Sequence, residues 1–216
     1  MRDLLPGAVA VAVADASDWA EEPLPEEAAT LGERAVPARR REFGAGRACA
    51  RRALAALGLP AVPVPAGRDR APVWPPRVVG SISHTGNYCA AATARADRFR
   101  SIGIDAEDSM CLDASTRRLV CRPEEEDWWH GPGGGAPHWP TVFFSAKESV
   151  YKAWFPLAGG RLGFHDVRVE PDPRDGTFTA RVLGARGRPG PAPQVLHGRF
   201  AVSPGLVRTV VVVTAP

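Results

Sequence analysis

Residues 95–107 read RADRFRSIGIDAE, and they separate two parts of a chain of 216 residues. The first six of these residues are rich in charge, which is typical of a connecting segment at the surface. The seven that follow, Ser101 to Glu107, predict a β-strand because apolar and polar side chains alternate along them. We therefore predict an N-terminal lobe over residues 1–100 and a C-terminal lobe over residues 101–216.

The N-terminal lobe contains one clear helix and one hairpin. Ala38 to Leu57 predicts the helix, since apolar side chains recur at helical spacing until a Gly-Leu-Pro sequence ends the pattern. Val78 to Ser83 and Tyr88 to Ala94 predict two buried strands, and the residues between them, His84 to Asn87, form turns readily.

The C-terminal lobe continues with helices near Asp113 to Val120 and Pro123 to Trp129, and with a strong helix from Ser145 to Phe155. Four further strands are predicted at His165 to Glu170, Thr177 to Leu183, Val195 to Val202 and Val207 to Thr214. This mixture of antiparallel hairpins and helices indicates an α+β fold. No internal repeat is visible in the residues.

The composition excludes several classes of protein. Hydrophobic residues make up 44% and charged residues 24%, as in soluble globular proteins, and no run of eighteen apolar residues is present to span a membrane. The stretch LLPGAVAVAVA near the N-terminus resembles the apolar core of a signal peptide. Asp3 before it and the Pro-Gly pair within it instead favour a first β-strand, Ala8 to Ala14, so we expect a cytoplasmic protein.

Charge and cysteine content exclude two more classes. A net charge of +3, with arginines spread along the chain, is too weak to indicate binding of nucleic acid. The cysteines form no C-x-x-C pair and no zinc-finger spacing, so we predict buried free thiols. They are Cys49, Cys89, Cys111 and Cys121.

Two carboxylates share one face of the strand that opens the C-terminal lobe. Asp105 and Glu107 lie two residues apart, so their side chains point in the same direction, while Ile102 and Ile104 point to the core. Neighbouring carboxylates repel each other unless a cation lies between them, and oxygen ligands of this kind suit Mg²⁺. The alternative is a solvated strand end with two ordinary acids.

The only two lysines among 27 basic residues are Lys147 and Lys152, on the strong helix. Their clustering indicates positions at which a compact ammonium is required. Glu148 lies between them and supplies a third carboxylate for a site that binds magnesium and phosphate. Two structural alternatives remain open: Ser145 and Glu148 fit a capping box, and Glu148 and Lys152 fit a stabilising i,i+4 pair.

Several basic residues are candidates for contacts with phosphate. Arg39 and Arg47 share one side of the N-terminal helix, and Arg68 and Arg70 lie in a loop. His84 follows Ser83 at the end of a predicted strand, where a structural histidine is the usual alternative.

Five motifs, in this order, resemble the 4'-phosphopantetheinyl transferases, and especially the surfactin-type and enterobactin-synthetase-D-like branch found in actinobacteria. The motifs cover about residues 36 to 170 and are specific in combination. They are Arg-Arg-Glu-Phe with the Arg-Ala-Cys-Ala-Arg that follows (Arg40 to Arg51), Ala71-Pro-Val-Trp-Pro75, Val79-Gly-Ser-Ile-Ser-His84, Ile102-Gly-Ile-Asp-Ala-Glu107 and Phe144-Ser-Ala-Lys-Glu-Ser-Val-Tyr-Lys-Ala-Trp-Phe-Pro156.

The resemblance implies two similar α+β lobes related by a pseudo-twofold axis, each with a small antiparallel sheet, and a coenzyme A cleft between them. It implies a metal site for Mg²⁺, or Mn²⁺, formed by Asp105, Glu107 and Glu148. Some relatives carry a third ligand on the strand where this chain has Ala106, so a water is expected there.

The resemblance also implies roles for the remaining candidates. Glu148, Lys152 and Glu107 would be catalytic: Lys152 assists departure of 3',5'-ADP, and Glu148, or a water held by the metal, helps to deprotonate the attacking serine. Arg39, Arg47 and His84 would hold the 3'-phosphate end of coenzyme A. Contacts with the coenzyme are also expected from Arg68, Arg70, Ser83, Asp105, Lys147 and Lys152, although relatives often have lysines in place of the two loop arginines.

The implied reaction transfers the 4'-phosphopantetheine arm of coenzyme A to an apo carrier protein of polyketide, nonribosomal-peptide or fatty-acid synthesis. We expect a monomer that binds neither nucleic acid nor membrane. The main alternative is a nucleotide-binding module without transfer activity. A serine hydrolase built on Ser83 and His84 is disfavoured, because no G-x-S-x-G elbow is present and adjacent strand residues face opposite ways.

Overall fold

A computed structural model describes residues 1–32, 34–67, 69–109, 112–130, 138–184 and 192–215, without the side chains of residues 129 and 130. The chain forms two compact units. The first comprises Met1–Ile102 with Thr214–Pro216, and the second comprises Gly103–Val213. The sequence predicts this division between residues 100 and 101, with the whole C-terminus in the second lobe.

The first unit packs one long helix on a small sheet. Its strands are β1 (Ala10–Val13), β2 (Val78–Thr85) and β3 (Tyr88–Arg95), in the order β1-β3-β2 with antiparallel neighbours. Its helices are α1 (Ala16–Ala20), α2 (Pro25–Ala28) and α3 (Pro37–Ala56). The predicted long helix and hairpin are confirmed.

Helix α3 begins with Pro37 in its first turn, where the missing N–H has no helical partner to lose. Its apolar side chains, including Cys49, Ala53 and Leu54, are buried against the sheet. The hairpin turn is shorter than predicted: Thr85 pairs with Tyr88, and Gly86 takes a positive φ of 49°. His84 therefore lies inside β2, opposite Cys89, and not in the turn.

The second unit packs helices against a larger antiparallel sheet. A fourth strand, β4 (Phe99–Asp108), begins in the first unit and ends in the second, where the sheet order is β4-β8-β7-β6-β5. The other strands are β5 (Val167–Asp172), β6 (Thr177–Val182), β7 (Val195–Ser203) and β8 (Leu206–Thr214). The helices are α4 (Ala114–Val120), α5 (Asp127–His130) and α6 (Trp139–Ala158), with a 3-10 turn at Pro123–Glu125.

Helix α6 is longer at both ends than the sequence predicted. It begins at Trp139, with Pro140 tolerated in the first turn, and ends at Gly159, which has a φ of 66° and donates its N–H to the carbonyl of Phe155. The proposed capping box of Ser145 and Glu148 is therefore wrong, because Ser145 lies six residues inside the helix. Its hydroxyl instead lies 3.0 Å from that of Thr209 on β8.

Two expectations about the chain as a whole can be compared with the structure. Cys49, Cys89 and Cys121 are buried free thiols, as predicted, while Cys111 lies outside the described residues. Among the described residues, none of the helices combines the length and the apolar character that crossing a bilayer requires.

Candidate active site

Strand β4 and helix α6 bring four of the predicted site residues together in the second unit. Asp105 is only 2% exposed, and its Oδ1 accepts a hydrogen bond of 2.7 Å from the ammonium of Lys152. The same ammonium donates to the carbonyl of Ile104 at 3.2 Å. Glu107 and Glu148 are half-buried and close enough to this pair to change its electrostatics.

The carboxylates of this group repel one another. Burial, together with the negative charges of Asp105 and Glu148, raises the pKa of Glu107 to about 8 against the opposing effect of Lys152. The pKa of Glu148 is also raised, first by burial, while Lys152 lowers it and Asp105 raises it. One ammonium therefore does not compensate three carboxylates, and an added cation would be favoured here.

The close approach of α6 to β4 depends on Gly103. A Cβ at this position would lie 1.9 Å from the carbonyl oxygen of Ser149 and 2.7 Å from the backbone nitrogen of Ala153. Only glycine allows the helix backbone to pack directly on the strand at this point. This contact brings the turn with Glu148 and Lys152 to the strand with Asp105.

The donor set suits a hard divalent cation, because all three acidic side chains offer carboxylate oxygens. As the side chains lie, however, no group of three or more His, Cys, Asp or Glu residues in the described parts of the chain is arranged to hold a metal ion. Asp105 instead directs one oxygen to Lys152. The chemistry of the ligands therefore fits Mg²⁺, and binding would require the side chains to rearrange.

Lys147 does not join this group, although it is adjacent to Glu148. Its side chain is 1% exposed, and its ammonium donates to Glu125 at 2.6 Å and to the carbonyl of Val120 at 2.8 Å. The lysine that we expected to contact a phosphate is thus held inside the protein, where burial lowers its pKa.

A separate group of candidates lies in the first unit. Nε2 of His84 lies 2.8 Å from the guanidinium of Arg39, and its Nδ1 lies 3.8 Å from Glu42. Because a guanidinium can only donate, Nε2 must accept, which leaves the proton of a neutral imidazole on Nδ1, toward Glu42. Arg39 and Glu42 also form an ion pair of 3.5 Å on α3.

Arg47 is 5% exposed and stacks over the ring of Phe43, with 4.2 Å from its guanidinium carbon to the ring centroid. Burial lowers its pKa to about 10; the charge of Glu27 opposes this shift, and that of Arg39 adds to it. Within the described parts of the chain, its Nε has no hydrogen-bond partner. A buried cation of this kind would be stabilised by an anion.

The remaining candidates are less informative. Ser83 is 3% exposed and lies in β2, next to the half-buried His84, as the strand alternation predicts. Arg70 is exposed, with a left-handed backbone at a φ of 62°. Arg68 lies outside the described residues.

Two acidic residues were missed by the sequence analysis. Glu42 is three residues after Arg39 on a helix, and this spacing was a usable signal for a pair. Glu125 accepts a hydrogen bond from the ammonium of Lys147. The two residues are 22 positions apart in the sequence, and only the fold brings them together.

Two family models match the chain. Residues 26–94 match the 4'-phosphopantetheinyl transferase N-terminal domain, and residues 101–197 match the 4'-phosphopantetheinyl transferase superfamily.

Curated relatives give the same result. The chain is 46% identical to the 4'-phosphopantetheinyl transferase Svp of Streptomyces mobaraensis, over 89% of this chain and 79% of the relative. It is 40% identical to the 4'-phosphopantetheinyl transferase PptT of Mycobacterium tuberculosis, over 88% and 86% of the two chains. Enterobactin synthase component D of Escherichia coli O157:H7 is 37% identical over 53% of this chain and 54% of its own. This chain is therefore an enzyme of the 4'-phosphopantetheinyl transferase family.

Proposed function

We propose that this enzyme transfers the 4'-phosphopantetheine arm of coenzyme A to a serine hydroxyl of an apo carrier protein and releases 3',5'-ADP. The observation that supports this most is the group of Asp105, Glu107, Glu148 and Lys152 on β4 and α6, in a chain that belongs to this family. The partners would be acyl or peptidyl carrier proteins of polyketide, nonribosomal-peptide or fatty-acid synthesis.

In this reaction the serine oxygen forms a bond to the β-phosphorus of coenzyme A, and the bond from that phosphorus to the bridging oxygen of the pyrophosphate breaks. The leaving 3',5'-ADP takes up negative charge. The side chain of Lys152 is 27% exposed, whereas the side chain of its partner Asp105 is 4% exposed. The ammonium of Lys152 can therefore reach a bound phosphate and stabilise that charge.

Asp105, Glu107 and Glu148 would hold Mg²⁺ or Mn²⁺, because their oxygens are the ligands that such cations prefer. When bound, the metal stabilises negative charge at the pyrophosphate. Burial and the mutual repulsion of these carboxylates together raise the pKa of Glu107, and both are physical reasons to expect a cation among them.

The serine proton needs an acceptor, and two carboxylates qualify. The pKa values of Glu107 and Glu148 are both raised, toward the range in which a carboxylate accepts a proton efficiently near neutral pH. Glu148 is the acceptor we propose, as the family resemblance implies. The pH dependence of kcat in Glu148→Gln and Glu107→Gln variants distinguishes the two.

The first unit would bind the other end of coenzyme A. Arg39 and Arg47 would supply positive charge and donors for the 3'-phosphate, and His84 would supply a further N–H donor. The buried Nε of Arg47, which has no partner in the described part of the chain, supports this role. Contacts of the coenzyme with Arg68, Arg70 and Ser83 remain predictions. So do the pseudo-twofold relation of the lobes, the coenzyme A cleft between them and the monomeric state.

The experiment is intact-mass analysis of apo carrier proteins incubated with the enzyme, coenzyme A and Mg²⁺. A mass gain of one phosphopantetheine arm on a carrier protein supports the proposal, and its loss in chelator supports the metal. A protein that binds coenzyme A but modifies no acyl or peptidyl carrier would instead fit the non-catalytic nucleotide-binding alternative.

A further inference from the structure

Each unit contains a buried glutamate that ends a Pro-Glu-Glu sequence. Leu24-Pro25-Glu26-Glu27 precedes α3, and Arg122-Pro123-Glu124-Glu125 precedes α6, which is also a helix of 20 residues. Glu27 is 0% exposed and Glu125 is 1% exposed. Carboxylates are almost never buried to this extent without partners.

Glu27 accepts hydrogen bonds from three directions. The backbone N–H of Leu24 donates to Oε2 at 3.0 Å, and that of Val64, beyond α3, donates to Oε1 at 3.0 Å. Arg51 on α3 donates from one guanidinium nitrogen to both oxygens, at 2.7 and 2.6 Å. The carboxylate thus joins its own turn, the long helix and the segment after that helix.

Glu125 repeats this arrangement. The backbone N–H of Arg122 donates to Oε2 at 2.9 Å, and that of Val169, on the strand after α6, donates to Oε1 at 2.8 Å. The cation from the long helix is here Lys147, at 2.6 Å. The two units therefore use the same device, with arginine in one and lysine in the other.

The two devices differ in what lies next to the cation. Lys147 immediately precedes Glu148 and lies five residues before Lys152, whereas Arg51 lies beyond Arg47 on α3. On a helix, fixing one side chain fixes the direction of its neighbours, because successive residues turn by about 100°. The ammonium of Lys147 bonds to Glu125 and Val120 and so holds one side of α6. This fixes the directions in which Glu148 and Lys152 project from another side of the helix.

Two further contacts restrict α6 in the same region. The backbone at Ser149 and Ala153 packs on Gly103, and the hydroxyl of Thr209 donates to the carbonyl of Ser145 at 2.8 Å. These contacts fix how closely the helix approaches β4 and β8. The bonds from Lys147 to Glu125 restrict how the helix turns about its own axis.

We propose that Lys147 and Glu125 are positioning residues for phosphopantetheine transfer, which orient α6 so that Glu148 and Lys152 meet Asp105. This inference rests on the proposed function. Replacing a buried ion pair by apolar residues of similar volume often leaves the stability of a protein unchanged. The main contribution of the Lys147–Glu125 pair is therefore to hold α6 in one defined orientation. Neither Lys147 nor Glu125 touches the substrate in this role.

The test compares the two devices by conservative substitution. Glu125→Gln and its matched control Glu27→Gln each remove one charge and keep one acceptor oxygen, so in both variants one of the two backbone N–H groups loses its acceptor. The wild-type enzyme, coenzyme A, Mg²⁺ and an apo carrier protein that it modifies define the reference kcat and KM. We expect Glu125→Gln to lower kcat about tenfold with little change in KM for coenzyme A, since small errors in orientation are costly. We expect Glu27→Gln to leave kcat within about twofold of the reference, since α3 carries none of the proposed catalytic residues.

A second set separates orientation from stability. Lys147→Met leaves Glu125 buried without its cation, and we expect a lower melting temperature and a lower kcat. The double variant Glu125→Gln/Lys147→Met removes both charges; we expect it to regain melting temperature but not kcat. Equal kcat losses in Glu125→Gln and Glu27→Gln, or a double variant with the wild-type kcat, would overturn the inference. If the wild-type enzyme modifies no carrier protein, the proposed function fails first.

Discussion

The two units concentrate charge of opposite sign. On α3 of the first unit, the buried guanidinium of Arg47 lies near enough to Arg39 for the second charge to lower its pKa. On β4 and α6 of the second unit, three carboxylates share a single ammonium, that of Lys152, and two of them have raised pKa values. The first group would be stabilised by a phosphate and the second by a divalent cation.

The proposed function would account for this difference. Coenzyme A carries a 3'-phosphate, which a group of guanidinium side chains would bind, and a pyrophosphate, which contains the reacting phosphorus and binds divalent cations. In the proposal, the first unit would bind the 3'-phosphate and the second would bind the pyrophosphate with its metal. The assignments are independent, because substitutions in the first unit should change affinity for the coenzyme and those in the second should change turnover.

The largest effect is expected from Asp105→Ala in the second unit. Without this carboxylate, transfer should fall by about a thousandfold or more, because a metal contributes several kcal/mol at a pyrophosphate. Transfer is measured by intact mass, and folding by circular dichroism. Asp108→Ala, which removes an exposed carboxylate at the end of the same strand, is the matched control. Full activity of Asp105→Ala in buffer treated with chelator would exclude the metal assignment.

In the first unit, Arg47→Ala tests the 3'-phosphate site. We expect KM for coenzyme A to rise about tenfold to a hundredfold, since charge-assisted hydrogen bonds contribute roughly 1.5–3 kcal/mol. KM for dephospho-coenzyme A, which lacks the 3'-phosphate, should rise much less. Arg41→Ala, at an exposed position of the same helix, should change neither value. Equal losses for both substrates would show that Arg47 serves the fold or another phosphate.

A pH titration sharpens the assignment of the second unit. The pKa of Glu107 is raised from 4.5 to about 8, so between these values the folded protein binds more protons than the unfolded chain. The stability of the metal-free protein should therefore fall as pH rises through this window. Mg²⁺ should reverse the loss, and its affinity should rise with pH up to about 8, because binding displaces the proton.

The measurement is the melting temperature at several pH values with chelator or with Mg²⁺. Glu107→Gln should flatten the pH dependence of the metal-free protein and abolish most of the stabilisation by Mg²⁺. If the melting temperatures of Glu107→Gln follow those of the wild type both with chelator and with Mg²⁺, Glu107 is not part of the metal site.

Much of the fold could be predicted because its signals are local. The hydrophobic spacing of α3, the alternation along β4 and the later strands all follow from nearest neighbours in the sequence. The start of α6 could not be predicted in this way. Pro140 marks the end of a loop as well as the first turn of a helix, and only the packing of the helix on the sheet distinguishes the two.

The two lysines show that prediction from local sequence has the same limit within the site. Their scarcity predicted two positions that need an ammonium, and the structure places the ammonium of Lys152 against Asp105. The sequence could not show that Lys147 turns away to Glu125, because both lysines are simply polar residues of one helix until the turn at Pro123–Glu125 packs against it. The Pro-Glu-Glu that precedes each long helix gains its meaning only from the structure, which places the last glutamate of each against a basic side chain of the helix.

The smallest effect concerns the surface that would receive the carrier protein. Helix α4 follows β4 and its carboxylates, begins at the N-cap Asp113, and presents Arg117, Arg118 and the 65% exposed Leu119. A carrier protein that is acidic around its serine would complement this helix, whereas the alternative is an ordinary solvated basic face. Arg122, which follows α4, is engaged with Glu124 and the carbonyl of His165, so it is the weaker candidate.

Because charge complementarity mainly accelerates association and is screened by salt, the double reversal Arg117→Glu/Arg118→Glu should raise KM for the carrier protein a few-fold. It should also flatten the salt dependence of that KM, while KM for coenzyme A stays unchanged. The assay is the rate of arm transfer at low and at high ionic strength. The control for net charge is Arg174→Glu/Arg199→Glu, which reverses two exposed arginines elsewhere in the second unit. An unchanged KM and salt slope for the carrier protein would place its docking surface away from α4. The segment between α5 and α6, residues 131–138, most of which lies outside the described residues, would then be the next to substitute.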